Sequence, residues 1–231
     1  MSTTSVSPRG LGGAFALCAL ASLTLLANHP MPRGPTLADF IRAEAHNQLI
    51  DAVVHGGFVA VLTALIVCFV LLPGALPARG GRLPGIAVVV ALVSFCVGSG
   101  ALLLSMILDG FVVPALAAQF SAAASDPGKA GGIFLLCGML IRFLMPAGLL
   151  FQGVTVLCWS ARMVRDGGWS LAVGIFGLAA GAFLAVALLG APRELTEHLL
   201  LGAIVLQSLW YLGLAAVLWR RRATAHGLSR S

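Results

Sequence analysis

Residues 44–72 read EAHNQLIDAVVHGGFVAVLTALIVCFVLL, and this stretch decides the fold. From Ala52 to Leu72 it is apolar apart from His55 and Thr63, long enough to cross a hydrocarbon layer as a helix. Upstream, Glu44, Gln48, Asp51 and His55 recur at intervals of four, three and four, so they share one helical face. The opposite face carries Asp39, Arg42 and His46. Thr36, with Asp39 three residues on, has the pattern of a helix start. Pro30, Pro32 and Pro35 predict extended chain just before it. One helix is therefore expected from Leu37, entering the membrane without a break. Its first part is an amphipathic outer helix preceding the span.

Five further apolar runs have spanning length: 11–27, 86–108, 133–158, 169–189 and 199–219. With 52–72 they make a six-transmembrane-helix bundle, an all-α integral membrane protein with one transmembrane domain over 1–231. A basic tail occupies 220–231. The runs are continuously apolar rather than alternating, which excludes a membrane barrel. The overall composition agrees: 59% hydrophobic and 10% charged residues, with a mean hydropathy of +1.02, far from a soluble domain.

The net charge of +6 does not point to nucleic acid, because the arginines sit at span ends rather than in a stripe. They act instead as an orientation signal. Nine Lys or Arg fall at the N-terminus, loops two and four and the tail, against four in the alternate loops. The bias predicts both termini in the cytoplasm. One Lys against thirteen Arg, with much Ala and Gly, points to a GC-rich bacterial genome and so to a bacterial plasma (inner) membrane location. Trp159, Trp169 and Trp219 lie at the same ends, where an aromatic belt is expected. Arg220, Arg221 and Arg222 are placed to meet anionic lipid. The first span is read as a retained helix rather than a cleaved signal. The five cysteines form no C-x-x-C pair and are expected to be small buried hydrophobes.

On that topology seven of the eight acids and four of the five histidines face the outer side. Ionisable groups are costly in such a chain, so their clustering marks a candidate site. Helical phase separates His46 from His55. The remaining polar cup comprises Asp51, His55, Asp109, Arg142 and His198. Asp109 and Arg142 are expected either to pair or to divide roles, with the arginine holding an anion. Glu194 and Glu197 suit the first turns of span six, and Glu194 shares a face with His198. His55, His198, Asp51, Asp109 and Glu194 supply the donor types of a divalent metal (Zn²⁺) site. His55 and His198 also have the chemistry of axial haem ligands. Gln152 and Gln207 are expected to make interhelical hydrogen bonds.

Ser94, Gly98, Ala101, Ser105 and Asp109 line one face of span three, and Gly177, Gly181 and Ala185 one face of span five, both packing faces. After Asp109-Gly110 the apolar run continues to Phe120, with a bend expected at Pro114. Three functions fit these features. The first is a membrane-embedded binding, sensor or partner subunit, with a membrane protein or a second copy as partner. The second is a metal-dependent, hydrolase-like enzyme acting on a lipid or amphiphile at the outer leaflet. The third is a transporter, which the scarcity of deep polar groups disfavours.

Overall fold

The computed structural model describes residues 7–30, 36–76, 85–122, 127–190 and 197–227. Its elements are α1 (Pro8–Ala27), α2 (Leu37–Ala75), α3 (Ile86–Ile107), one π-helical turn (Leu108–Val112), α4 (Val113–Ala122), α5 (Pro127–Asp166), α6 (Trp169–Gly190) and α7 (Glu197–Gly227). Six helices are long and apolar enough to cross a membrane. The chain is a multi-pass helical bundle.

The expected continuity of α2 is present. Its 39 residues begin at Thr36, whose Oγ1 accepts from the Asp39 N–H at 3.2 Å. At about 1.5 Å per residue the helix is about 58 Å long, roughly twice a hydrocarbon core. It is therefore longer than a single span requires. Of the four residues that share a face on α2, Glu44, Asp51 and His55 are buried and Gln48 is exposed, as is His46 on the opposite face. Arg42 and Asp39 pair at 2.7 Å on the exposed face.

Neighbours in sequence are neighbours in space: α1 packs on α2, α2 on α3, α3 on α5, α5 on α6 and α6 on α7. α7 then returns to α1, which closes a ring. Small residues set the closest crossings. A Cβ on Gly98 of α3 would meet the Gly148 carbonyl at 2.7 Å, and one on Gly148 of α5 would meet the Gly98 carbonyl at 2.8 Å. Gln152 Nε2 donates to Ser99 Oγ at 3.1 Å across the same seam. On α6, Gly177 lies against Ser160 and Trp210, and Gly181 against Leu157.

The ring is filled at one end and hollow at the other. Towards the end bearing Arg9, Arg162 and Arg220, aromatic rings meet in the middle. Phe69 lies 4.1 Å from Phe95, 5.2 Å from Phe15 and 6.3 Å from Trp210, ring centre to ring centre. Trp159 belongs to this core with 1% exposure, so it is not the belt residue expected from its position in sequence. Trp169 and Trp219 are exposed, and Arg220 stacks 3.8 Å over the Trp169 ring. Arg162 donates to the Leu76 carbonyl. Cys18, Cys68 and Cys137 are buried as expected, Cys158 is half-buried, and Cys96 faces outward.

The change in span three occurs at Asp109-Gly110, ahead of Pro114. There α3 gives way to the π turn, and α4 then resumes as helix through Ala122. A π turn places an extra residue per turn and so rotates the helix beyond it. α4 consequently lies along α2, with Val113 and Ala117 against Phe40, Ile41 and Ala45. Finally, α7 runs on as helix to Gly227 through the basic segment.

Candidate functional site

The hollow end of the ring holds a cavity of about 530 Å³. Its walls come from α1, α2, α3, α5 and α7 and are mainly apolar, including Leu62, Leu65, Leu102, Leu149 and Ile204. Polar groups sit at its two ends. The deep end has Ser22, Gln152, Gln207, Ser208 and Tyr211; the mouth has His29, Glu44, Asp51, His55, Asp109 and His198.

At the mouth, α2 is approached from two sides at His55-Gly56-Gly57. Gly57 lies against Leu25 of α1, so a Cβ there would meet a Leu25 methyl at 2.6 Å. Gly110 of the π turn lies directly on His55, with His55 Nδ1 2.8 Å from the position of an added Cβ. These two close approaches bring the end of α1 and the π turn onto His55 together. His55 is 1% exposed and its ring is held on both nitrogens. Nδ1 lies 2.9 Å from the Asp51 carbonyl. Nε2 lies 3.1 Å from Asp109 Oδ2 and 3.2 Å from His29 Nε2.

The two imidazoles meet edge to face, with centres 4.9 Å apart. His29 lies just past α1, outside the spanning segment. Desolvation, and then the neighbouring His55, hold its imidazole below the ordinary histidine range, which favours a neutral ring with a free lone pair. Asp51 is 3% exposed, and its Oδ2 has no hydrogen-bond partner among the described residues.

Of the residues expected from sequence, His55 and Asp109 are thus in direct contact, and Asp51 and His198 line the same cavity. His198 is exposed at the start of α7. One donor from each of His29, His55 and Asp109 lies within 4.8 Å of the others, a group that could hold a metal ion; His198 and Asp51 stand outside it. Arg142 is exposed on α5 and does not line the cavity. Glu194 lies outside the described residues, as do the side chains of Glu197, Arg221 and Arg222.

The Nε2 of Gln207 has no hydrogen-bond partner among the described residues. It points to the deep end of the cavity as a place that accepts a polar atom. Sequence reasoning missed His29. The available signal was its position between the end of an apolar run and a proline series, where the chain must turn back towards α2.

No family model, no curated protein and no solved structure matches this chain.

Proposed function

We propose that this membrane protein is a binding protein for a single-chain amphiphile. The alkyl chain lies in the cavity, and the polar head sits at His29, His55 and Asp109 on the outer side. The observation that carries this reading is the shape and chemistry of the cavity. Along α2 its lining runs from Glu44 to Leu65, about 31 Å at 1.5 Å per residue. A 530 Å³ space drawn out over that length, with apolar walls between polar ends, has the form of an alkyl chain with its head at one end.

Ligand cavities commonly have this size, with apolar walls and a few convergent polar groups. The rings of Phe15, Phe69, Phe95 and Trp210 fill the bundle beyond the cavity, which favours holding over passage.

The test is native mass spectrometry of the detergent-purified protein, with palmitate and lysophosphatidylcholine as probes. One bound molecule per chain is expected. Leu62→Phe/Leu149→Phe, which puts two rings on the apolar wall of the cavity, should lower occupancy at least tenfold while the variant remains folded. Retention equal to the parent in the filled variant refutes the reading.

A further inference from the structure

We propose that His29, His55 and Asp109 bind a divalent transition-metal ion of the Zn²⁺ class. The ion would sit at the mouth of the cavity, with its open coordination positions facing inward.

The argument starts from proton positions. The Asp51 backbone carbonyl can only accept, so the 2.9 Å contact assigns the proton to Nδ1 of His55. In the neutral ring Nε2 then carries a lone pair. That lone pair faces Asp109 Oδ2 at 3.1 Å and His29 Nε2 at 3.2 Å. A proton added to Nε2 points along one of those directions and leaves the other contact poorly aligned. A cation among the three atoms turns all of their lone pairs into ligands.

Two of the three edges have the length found in a coordination shell, and the third, His29 to Asp109, is at most 4.8 Å. With Zn–N at about 2.0–2.1 Å, two ligands of a tetrahedron lie about 3.3–3.4 Å apart. The observed 3.2 and 3.1 Å edges agree within a few tenths of an ångström. Two imidazoles and one carboxylate are donors for borderline divalent ions. A metal-bound histidine ordinarily donates its second ring N–H to a carbonyl or carboxylate, which fixes the tautomer, and His55 does so to Asp51.

A second observation is independent of this triad. The Asp51 carboxylate, 3% exposed, lines the same cavity with Oδ2 unpartnered among the described residues. A buried carboxylate oxygen without a partner is costly, and a dication in the same cavity offsets that cost through a bound water.

The ion site deepens the amphiphile reading, because the ion stands where a carboxylate or phosphate head would arrive. It does not depend on that reading. The test uses the full chain in detergent, stripped with chelator and reloaded with Zn²⁺ or Co²⁺. We expect one ion per chain, visible d–d bands in the Co²⁺ form, and a Zn²⁺-dependent rise in the unfolding temperature. His29→Ala should weaken Zn²⁺ binding at least tenfold, with comparable or larger losses for His55→Ala and Asp109→Asn. His46→Ala, on the exposed face of α2, should match the parent.

His29 lies in non-helical chain, so His29→Ala keeps the bundle and remains informative where the α2 variant unfolds. Metal well below one per chain, or parent affinity in a folded His29→Ala variant, overturns the site; the cluster is then a proton-linked His55–Asp109 pair. Lysophosphatidylcholine bound without metal refutes the ion site alone. Metal bound without any amphiphile refutes the cavity reading alone.

Discussion

Gly110→Ala tests the construction of the mouth, because two effects of opposite sign act on it. Alanine is the better helix former by about 1 kcal/mol, so propensity alone predicts a gain. The added methyl, however, falls on Cβ and Cγ of His55. A Cβ is fixed by its own backbone and cannot rotate away, so α2 and the π turn must separate. Overpacking of this kind costs about 1–3 kcal/mol, with the rigid obstacle placing it in the upper part of that range. The net expectation is a loss of about 1–2 kcal/mol, or about 2–8 °C in Tm at roughly 2–4 °C per kcal/mol for a chain of this size.

Gly56→Ala is the matched comparison. Its Cβ would meet only Phe111 Cζ, the far end of a movable side chain, at 3.4 Å. Propensity wins there, and stability should be unchanged or rise by up to about 1 kcal/mol. Thermal unfolding in detergent, monitored with a thiol-reactive dye that reports exposure of buried Cys18 and Cys68, measures both. A Gly110→Ala Tm at or above that of the parent would mean that α2 and the π turn are not in this contact.

The same geometry gives two further outcomes. His29 faces His55 and Asp109, and its depressed pKa means the folded state holds fewer protons than the unfolded state as pH falls through the imidazole range. The stability carried by a neutral His29 is present above about pH 6.5 and is lost on acidification. The metal-free parent should therefore lose more Tm than His29→Gln between pH 7 and pH 5; parallel profiles contradict this. Gly177→Ala places a methyl on Ser160 Oγ and Trp210 Nε1 and should cost about 1–3 kcal/mol. Gly202→Ala, with nothing within 4 Å of the new methyl, serves as the reference, and equal Tm values would deny the α5–α6–α7 contact.

Much of the bundle was legible because its signals are local. The apolar runs, the Thr36 start and the unbroken Leu37–Ala75 helix each depend on a few neighbouring residues. The burial of Glu44, Asp51 and His55 came from helical phase. Phase could not reveal His29, which lies beyond the end of α1 and reaches His55 only through a chain reversal. The π turn was hidden as well: Asp109-Gly110 marked a break, but no local pattern announces the extra residue per turn. Trp159 reads as a belt residue by position, yet ring closure turns it inward. Gln207 faces a cavity, a property of five helices together that no single one encodes.

The closure of α7 on α1 also sets an order of assembly. His29, His55 and Asp109 all belong to the chain up to the end of span three, so the polar cluster can form while the chain is still emerging from the ribosome. The wall carrying Ser208 and Tyr211 belongs to the last helix. Trp219 then donates to the Arg9 carbonyl at 3.0 Å, joining positions 210 residues apart. Until that helix arrives, α1 has only one flank covered and the hollow stands open sideways to lipid. On the proposed reading, an amphiphile need not thread in through the finished mouth; it can be enclosed as the ring of helices shuts around it.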